Sequence, residues 1–321
     1  MHLFSKISDL EKMKQTHIGH LAIFAVNLIF GINTPITKSV LNSSLHIDAL
    51  ALTYLRFVGA SLVFWLVSII FKIPKANKKD ILLLLLASVF GVVLNQTSFV
   101  YGLSMTSPVD AAIVVSMTPI VTMIFSAIFV KEPITLKKVV GVLVGCSGAL
   151  LLILSNSSSG ANSNWIGNAI CFISCLSYGL YLTAFKPLIQ RNHPITLMKW
   201  MFLFGTIIST PFTFSHLISI EFNQINIDIT LRILFVILGA TFLTYLLIPI
   251  GQTRIRPTTL SMYNYLQPIV TTILAVVMGL GVFGIKQALA TMLVFLGVYI
   301  VTQSKTRAQV LQEKSGNQQN K

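Results

Sequence analysis

Charge is scarce in this chain. Only 10% of its 321 residues are Asp, Glu, Lys or Arg, against roughly a quarter in soluble globular domains. Acid is scarcer still: there are nine Asp and Glu residues, and none occupies the middle of a long apolar run. A proton relay through a buried carboxylate therefore has no candidate. Walker A, HExxH and Asp-rich diphosphate motifs are missing, which removes the commonest signatures of catalysis in or beside a membrane. His17, His20, His46, His193 and His216 stand at the edges of apolar runs or in polar segments. Cys146, Cys171 and Cys175 lie inside such runs, with no His or further Cys nearby to complete a metal site. Packing is the expected role of these thiols, and no metal, cofactor or enzymatic activity is expected. The ten-residue alternation of a membrane barrel is missing as well.

What the chain has instead is apolar length. Hydrophobic residues make up 54% of it, and the mean hydropathy is +0.81. The apolar runs are each about 18–23 residues, enough for a helix to cross a hydrocarbon core of roughly 30 Å. They fall at 17–39, 48–71, 81–103, 108–130, 136–155, 165–187, 195–217, 228–250, 257–279 and 286–303. An all-α membrane protein of ten transmembrane helices follows, with the lipid bilayer as its first partner.

The net charge of +14 would suit nucleic acid if it formed a patch. It is instead dispersed through short loops and tails between apolar runs, so no nucleic-acid partner is expected. Its distribution orients the chain. With the N-terminus in the cytoplasm, eighteen Lys and Arg residues fall on the inner side, and only Lys38, Arg232 and Lys286 on the outer. This bias puts both termini in the cytoplasm.

The sequence is also written twice. Pro-Ile-Val-Thr occurs at Pro119–Thr122 and again at Pro268–Thr271, and the same spacing of 149 pairs Gly102 with Gly251, Pro108 with Pro257, and Gly148 with Gly297. A spacing of 148 pairs Gly19 with Gly167, Gly31 with Gly179, and Lys38 with Lys186. The expected organisation is a cytoplasmic tail (1–16), a first five-helix repeat (17–155), a linker rich in Ser, Asn and Gly (156–164), a second repeat (165–303) and a cytoplasmic tail (304–321). An odd number of spans per repeat inverts the second copy relative to the first. Inverted repeats recur in secondary carriers, where two similar halves exchange conformations around a central site. A duplicated receptor or assembly partner without transport is the alternative, and a homodimer remains open.

Candidate functional residues follow from depth. Pro119 and Pro268 fall near the middle of their spans, where each lacks an N–H and clashes with the carbonyl four residues earlier. They are candidate hinges, with a static bend as the alternative. Arg56 lies about eight residues into its span, or ~12 Å deep at 1.5 Å per residue. Such a charge calls for a partner or an aqueous cavity. Asp110 is the nearest acid in depth, although Ser107-Pro108-Val109-Asp110 also reads as a helix start. Asp48 reads as the cap of the second span, whereas Lys199 is close enough to a boundary to snorkel. Polar side chains able to face a central cavity are Asn27, Asn33, Asn95, Gln96 and Ser116 in the first half. Their counterparts in the second are Ser177, Tyr178, Tyr181, Tyr245, Tyr263, Asn264 and Gln267. Some of these must serve only to bond neighbouring helices.

The run Gly31-Ile32-Asn33-Thr34-Pro35-Ile36-Thr37-Lys38, followed by Leu55-Arg56-Phe57, Tyr101-Gly102-Leu103 and Ser107-Pro108, resembles EamA-type carriers of the drug/metabolite transporter superfamily. Thr118-Pro119-Ile120, Glu132-Pro133-Ile134-Thr135, Gly141 and Gly145-Cys146-Ser147-Gly148 continue the likeness, which extends from about residue 17 to 303. The resemblance implies ten helices, inverted five-helix repeats, a central cavity, and movement of small organic solutes across a prokaryotic inner membrane. The solutes it implies are amino acids, related metabolites or drugs, carried outward by alternating access. In one respect the chain departs from the family: the Gly-Glu that ends the fourth and ninth helices is Lys131-Glu132 in the first copy and aligns with Leu280-Gly281 in the second. Glu132 at a helix end opposes the helix dipole, so compensation by Lys137 or Lys138 is expected.

Overall fold

The computed structural model describes residues 2–41, 43, 47–106, 111, 114–155, 165–220, 226–277, 284–305, 307 and 309–312. Every regular element among them is helical. The first repeat contains α1 (His2–Leu41), α2 (Ala49–Ile70), α3 (Lys78–Met105), α4 (Thr118–Val130) and α5 (Leu136–Ser155). The second contains α6 (Trp165–Ala184), the short α7 (Lys186–Arg191), α8 (Pro194–Ile218), α9 (Ile227–Gln252), α10 (Pro257–Met262), α11 (Leu266–Val277) and α12 (Ile285–Thr302). Among the described residues, six helices are long and apolar enough to cross a bilayer, and α4 and 288–302 are shorter apolar helices. Leu62, Leu66, Ile69 and Phe71 stand outward and exposed, as a lipid-facing surface requires, because lipid imposes no penalty on apolar exposure.

Local chemistry sets the boundaries. Asp48 caps α2 as expected, its carboxylate accepting the Ala51 N–H at 2.7 Å. The first helix begins at His2 rather than near residue 17. No glycine or proline interrupts the chain before Gly19, so the helix continues beyond the length that lipid demands. The mid-span prolines do more than bend their helices. Pro119 sits in the first turn of α4, just after a turn at Ser116 and Met117, and Pro268 stands near the start of α11, after a 3₁₀ turn at Tyr263–Tyr265. In each repeat the span is a broken helix, because proline is tolerated at a helix start and disrupts an interior.

The two repeats pack by the same rules with the roles exchanged. Helix α3 lies on α6 while α9 lies on α1; α1 lies on α11 while α6 lies on α4. The matched glycines carry these contacts. A methyl group added at Gly102 would come within 2.8 Å of the Gly167 carbonyl, and one at Gly251 within 2.3 Å of Ile23 on α1, beside Gly19. Gly31 abuts Val270, and its counterpart Gly179 abuts Val121, the residue matched to Val270. The remaining pairs, α2 with α8 and α5 with α12, join equivalent helices of the two halves. At the second of these, a methyl group on Gly297 would fall 2.4 Å from the Gly145 nitrogen. Small residues thus let backbones meet where a hydrophobic driving force between helices is missing.

One end of the bundle gathers the polar segments between α2 and α3, α4 and α5, α6 and α8, and α9 and α10. Thr196 donates to the Pro74 carbonyl at 2.7 Å, Arg191 to Asp80 at 3.1 Å, and Thr258 to Glu132 at 3.1 Å. This is the basic end. At the opposite end Asp48 meets His216, and Arg232 donates to Ser39 at 2.7 Å.

Candidate functional site

A cavity of about 100 Å³ lies where α1, α2, α3, α4, α6, α9 and the start of α11 with the turn before it converge, with room for several water molecules or a small organic group. Of the residues singled out by depth, Asn33, Arg56, Asn95, Gln96, Tyr178, Tyr245, Asn264 and Gln267 line it. Five lie outside the lining and are engaged elsewhere. Asn27 donates to the Ile23 carbonyl and accepts from Gln267 at 2.9 Å. Ser177 donates to the Phe90 carbonyl at 2.6 Å, Tyr181 to Gln252 at 3.3 Å, and Tyr263 meets His20 at 2.8 Å. The Ser116 carbonyl faces the Cys146 thiol at 3.9 Å.

The helices are irregular where they form the wall. Helix α3 widens into π-helical turns at Val89–Leu94, and α9 does so at Phe235–Leu243. The stretch 238–243 is the repeat counterpart of 89–94. Widened turns release carbonyls from the i to i−4 ladder, a device common at functional sites. Tyr245 accordingly donates toward the Gly91 carbonyl at 3.3 Å and to Asn95 at 3.2 Å, while Asn95 donates to Ser174 at 3.0 Å. Apolar periodicity does not register a widened turn, so the freed carbonyls were invisible in the sequence. Phe30, Thr34, Phe99, Val115, Thr118, Ser174, Cys175 and Ile248 also line the cavity. They lay on expected spans, but their apolar or small side chains gave no signal.

Arg56 is buried, and its Nε donates to the Thr241 hydroxyl at 2.9 Å. Thr241 in turn donates to the Val236 carbonyl at 2.8 Å, which turns a lone pair toward the guanidinium. The partner expected from depth, Asp110, lies outside the described residues. Among the described residues, no Asp or Glu lines the cavity. Neither amide atom of Gln96 has a well-formed hydrogen bond, although the side chain adjoins the Tyr245 hydroxyl.

At the basic end the chemistry is different. Glu132 is buried and ion-paired with Lys138 at 2.8 Å, and it also accepts from Thr258 of the second repeat. Burial pushes its carboxyl up, but the charge and hydrogen bond of Lys138, the Ser126 hydroxyl and the charge of Arg256 outweigh this and hold it below the ordinary value of 4.5. Arg256 donates to the carbonyls of Ser304, Thr302 and Val301 at 3.0–3.3 Å, so it caps the C-terminal end of α12. A cation there satisfies orphan carbonyls and complements the helix dipole. In the sequence Arg256 is one of the eighteen inner-side cations, with no further signal.

The EamA-like transporter family model matches residues 17–154 and again 165–303. The chain belongs to the EamA-like transporter family. The family match supplies the two repeats independently of the glycine contacts. An "Uncharacterized transporter" of Archaeoglobus fulgidus is 26% identical over 261 residues, spanning 81% of this chain and 90% of its own. "Uncharacterized transporter YyaM" of Bacillus subtilis is 24% identical over 284 residues, spanning 87% of this chain and 93% of its own. A solved crystal structure at 18% identity superposes with a TM-score of 0.71, covering 91% of this chain and 98% of the other. That likeness establishes the shared fold. The protein is an integral membrane transporter of the family, with apolar helices set in a lipid bilayer.

Proposed function

We propose that the chain is a secondary carrier that moves a small organic solute, such as an amino acid, a related metabolite or a drug, across a prokaryotic cell membrane by alternating access. Export is the proposed direction. The observation that carries this reading is the position of the cavity. It lies between the two repeats, walled by amides, tyrosines and one arginine, and framed by contacts that the repeats make with exchanged roles. Two inverted repeats of five spans each, ten in all, would let one packing open the cavity to one side and its mirror partner open it to the other. The broken helices at Pro119 and Pro268 are the proposed hinges. The basic end is the proposed cytoplasmic face, since it collects the Lys-rich segments.

The test is solute flux. Purified protein in proteoliposomes should move at least one radiolabelled member of a panel of amino acids and metabolites, with saturation. If every member permeates protein-containing and empty vesicles alike, the non-transporting alternative gains. Orientation is checked by single cysteines in a cysteine-free background. A cysteine replacing Ser43 should react with an impermeant maleimide added outside intact cells, and one replacing Asn77 should not. Labelling at Asn77 alone reverses the topology.

A further inference from the structure

We infer that the cavity is built to take a monocarboxylate with an apolar body, held by Arg56 and Gln96, and that an amino group on the solute is dispensable. This rests on the reading of the cavity as the transport site and adds the chemical class of the solute.

The argument begins with charge balance. Among the described residues, Arg56 is the one charged residue in the lining. Only its Nε is hydrogen-bonded among the described residues, to the neutral Thr241 hydroxyl. The two terminal nitrogens of the guanidinium have no protein acceptor there. A buried guanidinium without an anion is unfavourable, and its planar fork matches a carboxylate with two parallel hydrogen bonds. A carboxylate brought by the solute would supply the missing anion. A cationic solute would face repulsion from Arg56, with no acid among the described lining residues to offset it.

The second observation is independent of Arg56. Gln96 is 4% exposed, lines the same cavity, and leaves both amide atoms without a well-formed partner. A buried amide is rarely left so, and its N–H groups are donors that a carboxylate oxygen would accept from. Phe30, Phe99 and Ile248 form apolar parts of the wall, suited to the body of the solute. A phosphate dianion calls for more than one cation, and the described lining residues offer one. An ammonium group calls for an acid, and the described lining residues offer none.

The test uses matched probes on the purified full-length protein: leucine, leucinamide, 4-methylpentanoate and isoamylamine, each at millimolar concentration, read by thermal shift. Leucine and 4-methylpentanoate should both stabilise the protein, and leucinamide and isoamylamine should not. Arg56→Gln should weaken carboxylate binding by about ten- to a hundredfold, the loss of a charge-assisted hydrogen bond, and Arg56→Lys by less. If Arg56→Gln does not fold, Gln96→Leu decides, and it too should weaken both carboxylates. Stabilisation by isoamylamine or leucinamide equal to that by leucine overturns the inference. So does an unchanged preference in the variants, or no response to any probe. Flux separates this inference from the carrier reading. Movement of amines or amides without carboxylates leaves a carrier with a different site, whereas carboxylate binding without any flux leaves the site and removes the carrier.

Discussion

The Glu132 network and the Arg56 wall both bury charge, and they treat it in opposite ways. At the basic end Glu132 meets a cation, a hydroxyl from the other repeat and the field of Arg256. Arg256 itself is spent on the carbonyls that end α12. Glu132, Lys138 and Arg256 each have a partner, although the second carboxylate oxygen of Glu132 accepts no well-formed hydrogen bond among the described residues. The partners come from α4, α5 and α10, so the network ties the repeats together. In the cavity, among the described residues, Arg56 has one neutral hydroxyl and Gln96 has nothing well formed. Satisfied polarity marks structure; polarity left open around a void marks a site waiting for a ligand.

The largest effect should come from breaking the satisfied side. Glu132→Ala leaves Lys138 buried without its anion and should destabilise the protein by ~3–5 kcal/mol, the usual outcome when one member of a buried pair is removed. The sign of the pH dependence follows from the lowered pKa. A carboxyl held below 4.5 when folded contributes stability that is fully present above its unfolded value and lost as pH falls through the folded one. Thermal melts of the wild type should therefore hold steady on the neutral side and decline on the acid side. Those of Glu132→Ala should start lower and lack that part of the acid decline. Identical melts and identical pH profiles would mean the network holds nothing.

The open side should answer with the opposite sign. Gln96→Leu removes two amide atoms that lack a well-formed hydrogen bond from a buried wall, and should raise stability by about 1–2 kcal/mol, since an unsatisfied buried polar group costs roughly that much. Transport should fall in the same variant. A melting midpoint that drops along with transport would place Gln96 among the structural residues and erase the contrast with Glu132. Chemical denaturation in detergent beside proteoliposome flux reads both quantities.

Much of this division could be read from the residues alone, and the limit is physical. The positions of the six long spans, the repeats and the depth of Arg56 follow from apolar length and spacing. Asp48 announced its cap, and Glu132 its need for Lys137 or Lys138, through the same helix-end electrostatics. Depth, however, says nothing about azimuth. Asn27 and Asn33 are less than two turns apart on α1, yet one bonds Gln267 and a backbone carbonyl while the other lines the cavity. Tyr178 and Tyr181 divide in the same way on α6. The Thr241 bond to Arg56 depends on a π-helical turn in α9, which shifts the facing of every residue after it. Composition carries no trace of such a turn.

The smallest change in stability should accompany the largest change in mechanism. Pro119 lies in the first turn of its helix, where the missing N–H would have had no intrahelical acceptor. Pro268 stands just after a 3₁₀ turn, at the corresponding place in α11. Alanine at either position adds one donor and a little backbone freedom to the unfolded chain, so stability should change by under about 1 kcal/mol. What alanine alters is the break itself. A continuous helix becomes accessible through Ser116–Met117 in one repeat or Tyr263–Tyr265 in the other, and the packing that favours the straighter form gains population. Because the repeats are inverted in the proposed topology, Pro119→Ala should bias the cavity toward one face of the membrane and Pro268→Ala toward the other. Turnover should fall in both while solute affinity is largely kept, since only the exchange between packings depends on the break. A cysteine replacing Asn33 on the cavity wall reports this directly, through its reaction with impermeant maleimide from each side. Opposite shifts in accessibility would make the prolines hinges. Equal accessibility and wild-type turnover in both variants would leave two rigid elbows, and the exchange would then have to come from the sliding of α3 on α6 and α9 on α1 at their glycines.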